Sequence, residues 1–270
     1  LSQGFPDFDP PKAILDALAK TAYEGPHQYS ITFGAENFRE ALARKQGKAI
    51  GREINPETEI VVTCGGTEAM MSAMMTICNP GDKVIIQQPV YDPFAELIKK
   101  TGRVMVNNGL ICNDGLYEMD FPLLEEQAAD PDAKIMILCS PHNPVGRVWT
   151  KEELARVGEI CKKNNVLVIA DEIHSDLVYA GYVHTPFALA SDAPHLVCTS
   201  LGKTFNVAGL RLANIFSSSA ELKKQYDQEI DAYSYSASNT FGLEMVQAAY
   251  SPEGEAWLEE LLVYLQGNVE

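Results

Sequence analysis

"KIMILCSPHNPVGRVWTKEELARVGEICKKNNVLVIADEIH", residues 134 to 174, carries the pattern that decides the fold. It opens on the apolar run "KIMIL" (134–138) and closes on a second, "VLVIA" (166–170). Between them, "TKEELARVGEICKKNN" has helical spacing, a Thr150–Glu153 capping box at its start, and Lys and Asn at its end. A continuous apolar run, unlike an alternating one, reads as a strand covered on both faces. Two such strands joined by a helix read as a parallel crossover. The pattern repeats outwards through "IVVT" (60–63), "KVII" (83–86), "HLVCT" (195–199) and "ANIF" (213–216). Helical stretches "GTEAMMSAMMTIC" and "DPFAELIKKTG" lie among them. The fold class is therefore α/β, with a mainly parallel sheet covered by helices. The first 58 residues read as helices and loops, and the chain beyond residue 219 as almost purely helical.

Composition narrows the function. The chain has 270 residues and a formal net charge of −16. That charge argues against nucleic acid and anionic membranes as partners, because both require a basic footprint. No apolar run reaches membrane-spanning length and no signal-peptide pattern opens the sequence. The six cysteines show no C-x-x-C spacing, and several sit in apolar runs. Reduced, buried cysteines in a cytoplasmic protein are expected from that usage. The sequence lacks G-x-G-x-x-G after the first strand, G-x-S-x-G, H-E-x-x-H and a P-loop. Dehydrogenase, serine hydrolase and metal-hydrolase readings lose their support with them.

In an open parallel sheet the binding crevice lies outside the carboxyl ends of the strands. Each expected strand is followed by polar or small residues. Gly65-Gly66-Thr67-Glu68 follows "IVVT", Tyr91 follows "KVII", and Asn143 follows "KIMILC". Asp171 and His174 follow "VLVIA", while Ser200 and Lys203 follow "HLVCT". Taken singly, each has an ordinary explanation: a capped helix, a turn, a strand-end aspartate, a structural histidine. Lys203 poses the sharpest question. An ammonium is expensive to desolvate, so a lysine directly after a buried strand is expected to work in another chemical form.

The order of these residues, with "SPHNPVG", "ADEIHSDLVY" and "SLGKTFNVAGLR", resembles fold-type I pyridoxal phosphate enzymes of the aminotransferase class I/II superfamily. The resemblance implies a three-layer αβα sandwich with a seven-stranded, mainly parallel sheet. It implies pyridoxal 5'-phosphate as cofactor, with Lys203 forming the internal aldimine and, once released, moving the substrate's α-proton. Asp171 would pair with the pyridine nitrogen, Asn143 and His174 would face the phenolic oxygen, and Tyr91 would stack on the ring. Gly66, Thr67, Ser200 and Arg211 would hold the phosphate. Tyr29 matches a tyrosine that reaches the neighbouring subunit's phosphate, implying a homodimer. Gly4 matches the loop over the substrate.

The resemblance also divides. Residues 1–80, with "LSQGFPDFDPP" and "GGTEAM", look like aminotransferases; residues 86–265, with "LCSPHNPVGRVWTKEEL" and "DEIHSDLVY", look like cystathionine β-lyases. Arg211 and "SLGK" favour transfer of an amino group between an L-amino acid and a 2-keto acid. The alternatives are C–S β-elimination giving pyruvate, ammonia and a thiol, and a non-catalytic cofactor-binding fragment. The implied domains are an N-terminal arm (1–30), a large cofactor domain (31–250), and a helix (251–270) leading to a small domain mostly beyond the chain. The arginine that clamps the substrate α-carboxylate in relatives would lie in that missing part.

Overall fold

A computed structural model of the chain describes residues 6–32, 34–234 and 239–269. In chain order its elements are α1 (Lys12–Glu24), α2 (Glu36–Ile50), α3 (Pro56–Glu59), β1 (Ile60–Thr63), α4 (Gly66–Ile77), β2 (Lys83–Ile86), α5 (Pro93–Lys100) and β3 (Val104–Asn107). A hairpin, β4 (Ile111–Asn113) and β5 (Leu116–Glu118), precedes α6 (Phe121–Ala128), β6 (Ala133–Cys139), α7 (Lys151–Lys163) and β7 (Leu167–Asp171). Then come α8 (Phe187–Ala190), β8 (His195–Thr199), α9 (Leu201–Thr204), β9 (Ala213–Ser217), α10 (Ala220–Ala232), α11 (Thr240–Ala249) and α12 (Pro252–Gly267).

Seven strands form one sheet in the order β1-β9-β8-β7-β6-β2-β3. Only β9 runs against its neighbours, pairing antiparallel with both β1 and β8. The seventh strand is β3, whose "VMVN" has an exposed–half-buried pattern and so does not read as an apolar run. It is an edge strand, so one side of its backbone has no partner to demand burial. The hairpin β4–β5 is also silent in the sequence, because its side chains are mostly exposed and supply no periodic signal.

Alternate residues of the buried strands feed two cores. Val61, Ile137, Ile169, Leu196 and Ile215 face α4, α5 and α10, where Met70, Met74, Phe94 and Tyr226 are buried. Val62, Leu138, Val168, Ala170 and Val197 face the other layer, with Phe38, Trp149, Leu154 and Val246. The three-layer αβα sandwich follows from this two-sided burial. Ile14 of α1 is fully buried in the second core, so α1 packs into the sandwich.

Local chemistry sets the helix starts. The Thr150–Glu153 capping box forms, opening α7, and Asn55, Asp120, Ser219, Asn239 and Ser251 cap α3, α6, α10, α11 and α12. Helix α4 has no side-chain cap: Gly65, at φ 102°, turns the chain straight from β1 into the helix. Its first amides are left for another acceptor. Among the described residues no helix is long and apolar enough to cross a membrane. All six cysteines are free, but the expectation of burial holds for only four; Cys64 is half-buried and Cys112 is exposed on the hairpin.

Candidate active site

Strands β1, β2, β6, β7 and β8 end on one edge of the sheet, and the residues after them surround a cavity of about 500 Å³. Gly66, Thr67, Tyr91, Asn143, Asp171, His174, Ser200, Lys203 and Arg211 all line it. Arg211 arrives by a different route from the rest. Because β9 is antiparallel, its first residues lie at this same edge, with Ala213 opposite Thr63 and Asn214 opposite Thr199. The residue just ahead of β9 is thereby delivered to the carboxyl ends of the others.

The anion-binding side is built from α4 and Arg211. A Cβ placed on Gly65 would lie 3.6 Å from the Arg211 backbone, so the helix start and the guanidinium's residue are neighbours. Arg211 holds φ 48° and ψ 56°, left-handed values that cost a non-glycine residue about 1 kcal/mol or more. Among the described residues its side chain makes no ion pair. Uncapped amides, a positive helix end and an unpaired guanidinium together suit a phosphate. Ser200 is more committed than its sequence position suggests. Its hydroxyl donates to the Leu212 carbonyl at 2.7 Å and accepts from the Gly202 amide at 3.0 Å. It thus joins α9 to the approach into β9.

Asp171 closes the cavity floor. Its Oδ1 accepts from the Ile173 amide at 3.1 Å, and burial pushes its carboxyl up to about 6, against the opposing pull of that hydrogen bond and of Lys203. Gly66 packs closely here: a Cβ would lie 2.5 Å from the Ile173 Cδ1 atom, so a larger residue would displace the end of that side chain. His174 is held neutral, its pKa lowered by burial and then by the Lys203 charge. Asn143 sits on a braced loop. His142 Nε2 bonds the Pro89 carbonyl at 2.9 Å, Trp149 Nε1 donates to the Cys139 carbonyl at 2.9 Å, and the Asn143 amide donates to Cys139 Sγ at 3.4 Å.

The structure corrects one premise about Lys203. The lysine lies in α9, beyond the strand, and is exposed to the open cavity rather than buried at a strand end. Its chemistry therefore depends on what fills the cavity. Its helix is pinned from behind instead. Thr204 donates to Asp176 at 2.9 Å, and Lys45 of α2 bonds both Asp176 oxygens at 2.7 and 2.6 Å. Tyr91 is half exposed and packs edge-on against Phe94 at 5.5 Å. Tyr29 is not in the cavity; it stands fully exposed on the chain's surface. Gly4 lies outside the described residues.

Sequence reasoning passes over several wall residues. Phe94 and Leu97 of α5 and Met70 and Met71 of α4 form the apolar side, and their helical spacing alone reads as ordinary core. Glu172 is missed too. It is buried beside Asp171, accepting from the Phe187 amide at 2.7 Å and bonding His184 Nε2 at 3.1 Å. The Phe187 contact spans 15 residues and fixes the end of β7 to α8, while the His184 contact, 12 residues away, holds the segment between them.

A crevice at the carboxyl ends of a parallel sheet, with a lysine, a buried carboxylate and an anion cradle converging on it, defines an enzyme of the pyridoxal-phosphate type. The family model described as aminotransferase class I and II matches residues 1–270, and the chain belongs to that family. It is 36% identical over 266 residues to cystathionine β-lyase PatB of Bacillus subtilis, spanning 97% of this chain and 68% of that protein. With kynurenine–oxoglutarate transaminase 3 of Mus musculus it shares 34% identity over 223 residues, 78% of this chain but only 49% of the transaminase. Among solved structures, cystalysin from Treponema denticola, which contains pyridoxal 5'-phosphate, superposes with a TM-score of 0.90 at 32% identity, over 97% of this chain and 66% of that one. N-succinyldiaminopimelate aminotransferase from Mycobacterium tuberculosis gives 0.90 at 30% identity, over 99% and 69%. The chain thus spans from about half to about two thirds of the relatives it matches.

Proposed function

We propose that the chain is the cofactor-binding body of a pyridoxal 5'-phosphate enzyme that removes the α-proton of an amino acid and then eliminates a thiol from its β-carbon. The cavity's donor set suits that cofactor: the Lys203 side chain for its aldehyde, a buried carboxylate for its ring nitrogen, and the α4 amides with Arg211 for its phosphate. When bound, it supplies an electron sink for the charge left at the α-carbon. This chain's residues do the rest. Lys203 holds the cofactor and carries the proton off the α-carbon, Asp171 keeps the ring nitrogen protonated, and Asn143 and neutral His174 hold the phenolic oxygen. Tyr91 covers the ring.

In sequence, elimination is supported by the likeness to PatB, 36% identical over 97% of this chain against 34% over 78% for the mouse transaminase, whereas in structure cystalysin and the Mycobacterium aminotransferase match it equally, each with a TM-score of 0.90. His174 supports it, since a histidine at this position belongs to the lyase-like motif "DEIHSDLVY". Transamination keeps a specific observation of its own, Arg211 in the anion cradle. Incubation with L-cystathionine, and separately with L-alanine and L-glutamate, without keto acid, separates the two. Continuous pyruvate and thiol release from cystathionine is expected. One equivalent of keto acid per cofactor, with turnover then ceasing, identifies a transaminase instead.

A further inference from the structure

The sheet register surrounds Asp171 with sulfur. Cys139 of β6 is its direct partner on one side and Cys198 of β8 on the other. Residues level with each other in neighbouring parallel strands point to the same face, about 4.8 Å apart. All three belong to the face that carries the cavity; burial pushes each thiol up, and the Asp171 charge pushes it further. Neither thiol serves the carboxylate. Cys139 donates to the Pro141 carbonyl at 3.4 Å and accepts from the Asn143 amide. Cys198 is fully buried and has no hydrogen bond to Asp171 among the described residues. A carboxylate can accept about four hydrogen bonds. Among the described residues Asp171 receives one, from Ile173. Cysteine in such a setting acts as a small apolar residue with a weak donor.

We propose that Cys139 and Cys198 are positioning residues that form an apolar slot, withholding hydrogen bonds from Asp171 so that its charge is satisfied by a protonated pyridine nitrogen. The inference rests on the cofactor reading above. A carboxylate already satisfied by protein donors gains little from a ring N–H. One that is desolvated and under-bonded gains a charge-assisted hydrogen bond in a medium of low polarity, where it is strongest. The slot thus turns an energetic defect of the empty protein into affinity for one end of the ring. Serine at either position is nearly isosteric and offers the carboxylate a stronger donor than a thiol, at position 139 in competition with the Pro141 carbonyl that the thiol uses. Alanine removes the thiol without adding a donor.

The test compares dissociation constants, by equilibrium dialysis, for pyridoxal 5'-phosphate and for its 1-deaza analogue, in which carbon replaces the ring nitrogen. Wild-type protein is expected to favour the natural cofactor. In Cys198→Ser and Cys139→Ser that preference falls about tenfold, the worth of one hydrogen bond to a charged group. Cys198→Ala retains it. Cys139→Ser, at the cavity wall, carries the test if the buried Cys198→Ser chain does not fold. Serine variants that keep the full preference overturn the proposal, as does equal weakening toward both compounds. Wild-type protein that binds neither compound overturns the proposal together with the cofactor reading, so the two failures are distinguishable.

Discussion

Asp171 and Lys203 sit at opposite ends of one charge problem. The Asp171 carboxyl stands near 6 in the folded, cofactor-free chain against an ordinary 3.8, chiefly through burial. A native value above the unfolded one means that the folded state binds the proton more tightly. The contribution of this group to stability is therefore most favourable at low pH and declines as the pH climbs from about 4 through 6. The full cost, about 3 kcal/mol, applies above that window. Asp171→Asn is thus expected to stabilise the cofactor-free protein at pH 7 by up to about 3 kcal/mol, with the gain vanishing toward pH 4. Urea unfolding at the two pH values checks this, and a loss of stability at pH 7 contradicts it. The same variant is expected to lose cofactor affinity. Lys203→Ala leaves the fold intact because the side chain is exposed, yet no borohydride-reducible bond to the cofactor should form; mass spectrometry reads the result directly.

Elements matter here for where they hold these residues. The capping box of α7 satisfies two backbone donors, and Glu153 also bonds Arg147 at 2.8 and 2.9 Å. Thr150→Ala is expected to cost about 1 kcal/mol in chemical denaturation, with no effect on cofactor affinity. Helix α9 depends on its neighbours more heavily, because at four residues it has little stability of its own. Asp176 ties it to α2 through Thr204 and Lys45, with Tyr250 under the Lys45 ammonium at 4.6 Å. Asp176→Ala is expected to cost about 1–3 kcal/mol and to speed hydrogen exchange at the α9 amides before those of the central strands. Uniform exchange across both would remove the pinning role.

For the whole molecule, the open cavity and the exposed Tyr29 point outward. Anything that binds the native state alone stabilises it by mass action, about 2.7 kcal/mol at a hundredfold excess over its dissociation constant. Added pyridoxal 5'-phosphate should accordingly raise the melting temperature, and Lys203→Ala should blunt the rise. We expect the chain to sediment as a dimer, with Tyr29 supplying its hydroxyl to the partner's cofactor phosphate. Tyr29→Phe would then weaken cofactor retention about tenfold without changing the monomer's stability. A monomer that retains cofactor equally in both forms eliminates that role.

How much of this is legible in the sequence depends on how local the cause is. Continuous apolar runs mark six of the seven sheet strands, because a strand covered on both faces has no polar positions to blur the pattern. The edge strand β3 and the exposed hairpin lack that constraint and stay silent. The strand-exit rule finds Thr67, Asn143, Asp171 and Lys203, since chain order alone places a residue just past the end of a strand. Arg211 precedes its strand, and only the antiparallel direction of β9 brings it to the site. The exposure of Lys203, the Cys139–Asp171–Cys198 row and the Glu172–His184 clasp are likewise decided by tertiary structure. Each depends on strand order and register, which join residues far apart in the chain. The sequence by itself determined the six buried strands and the chemical identity of the site's residues. The packing of the sheet determined which of them meet, and how little water reaches the carboxylate among them.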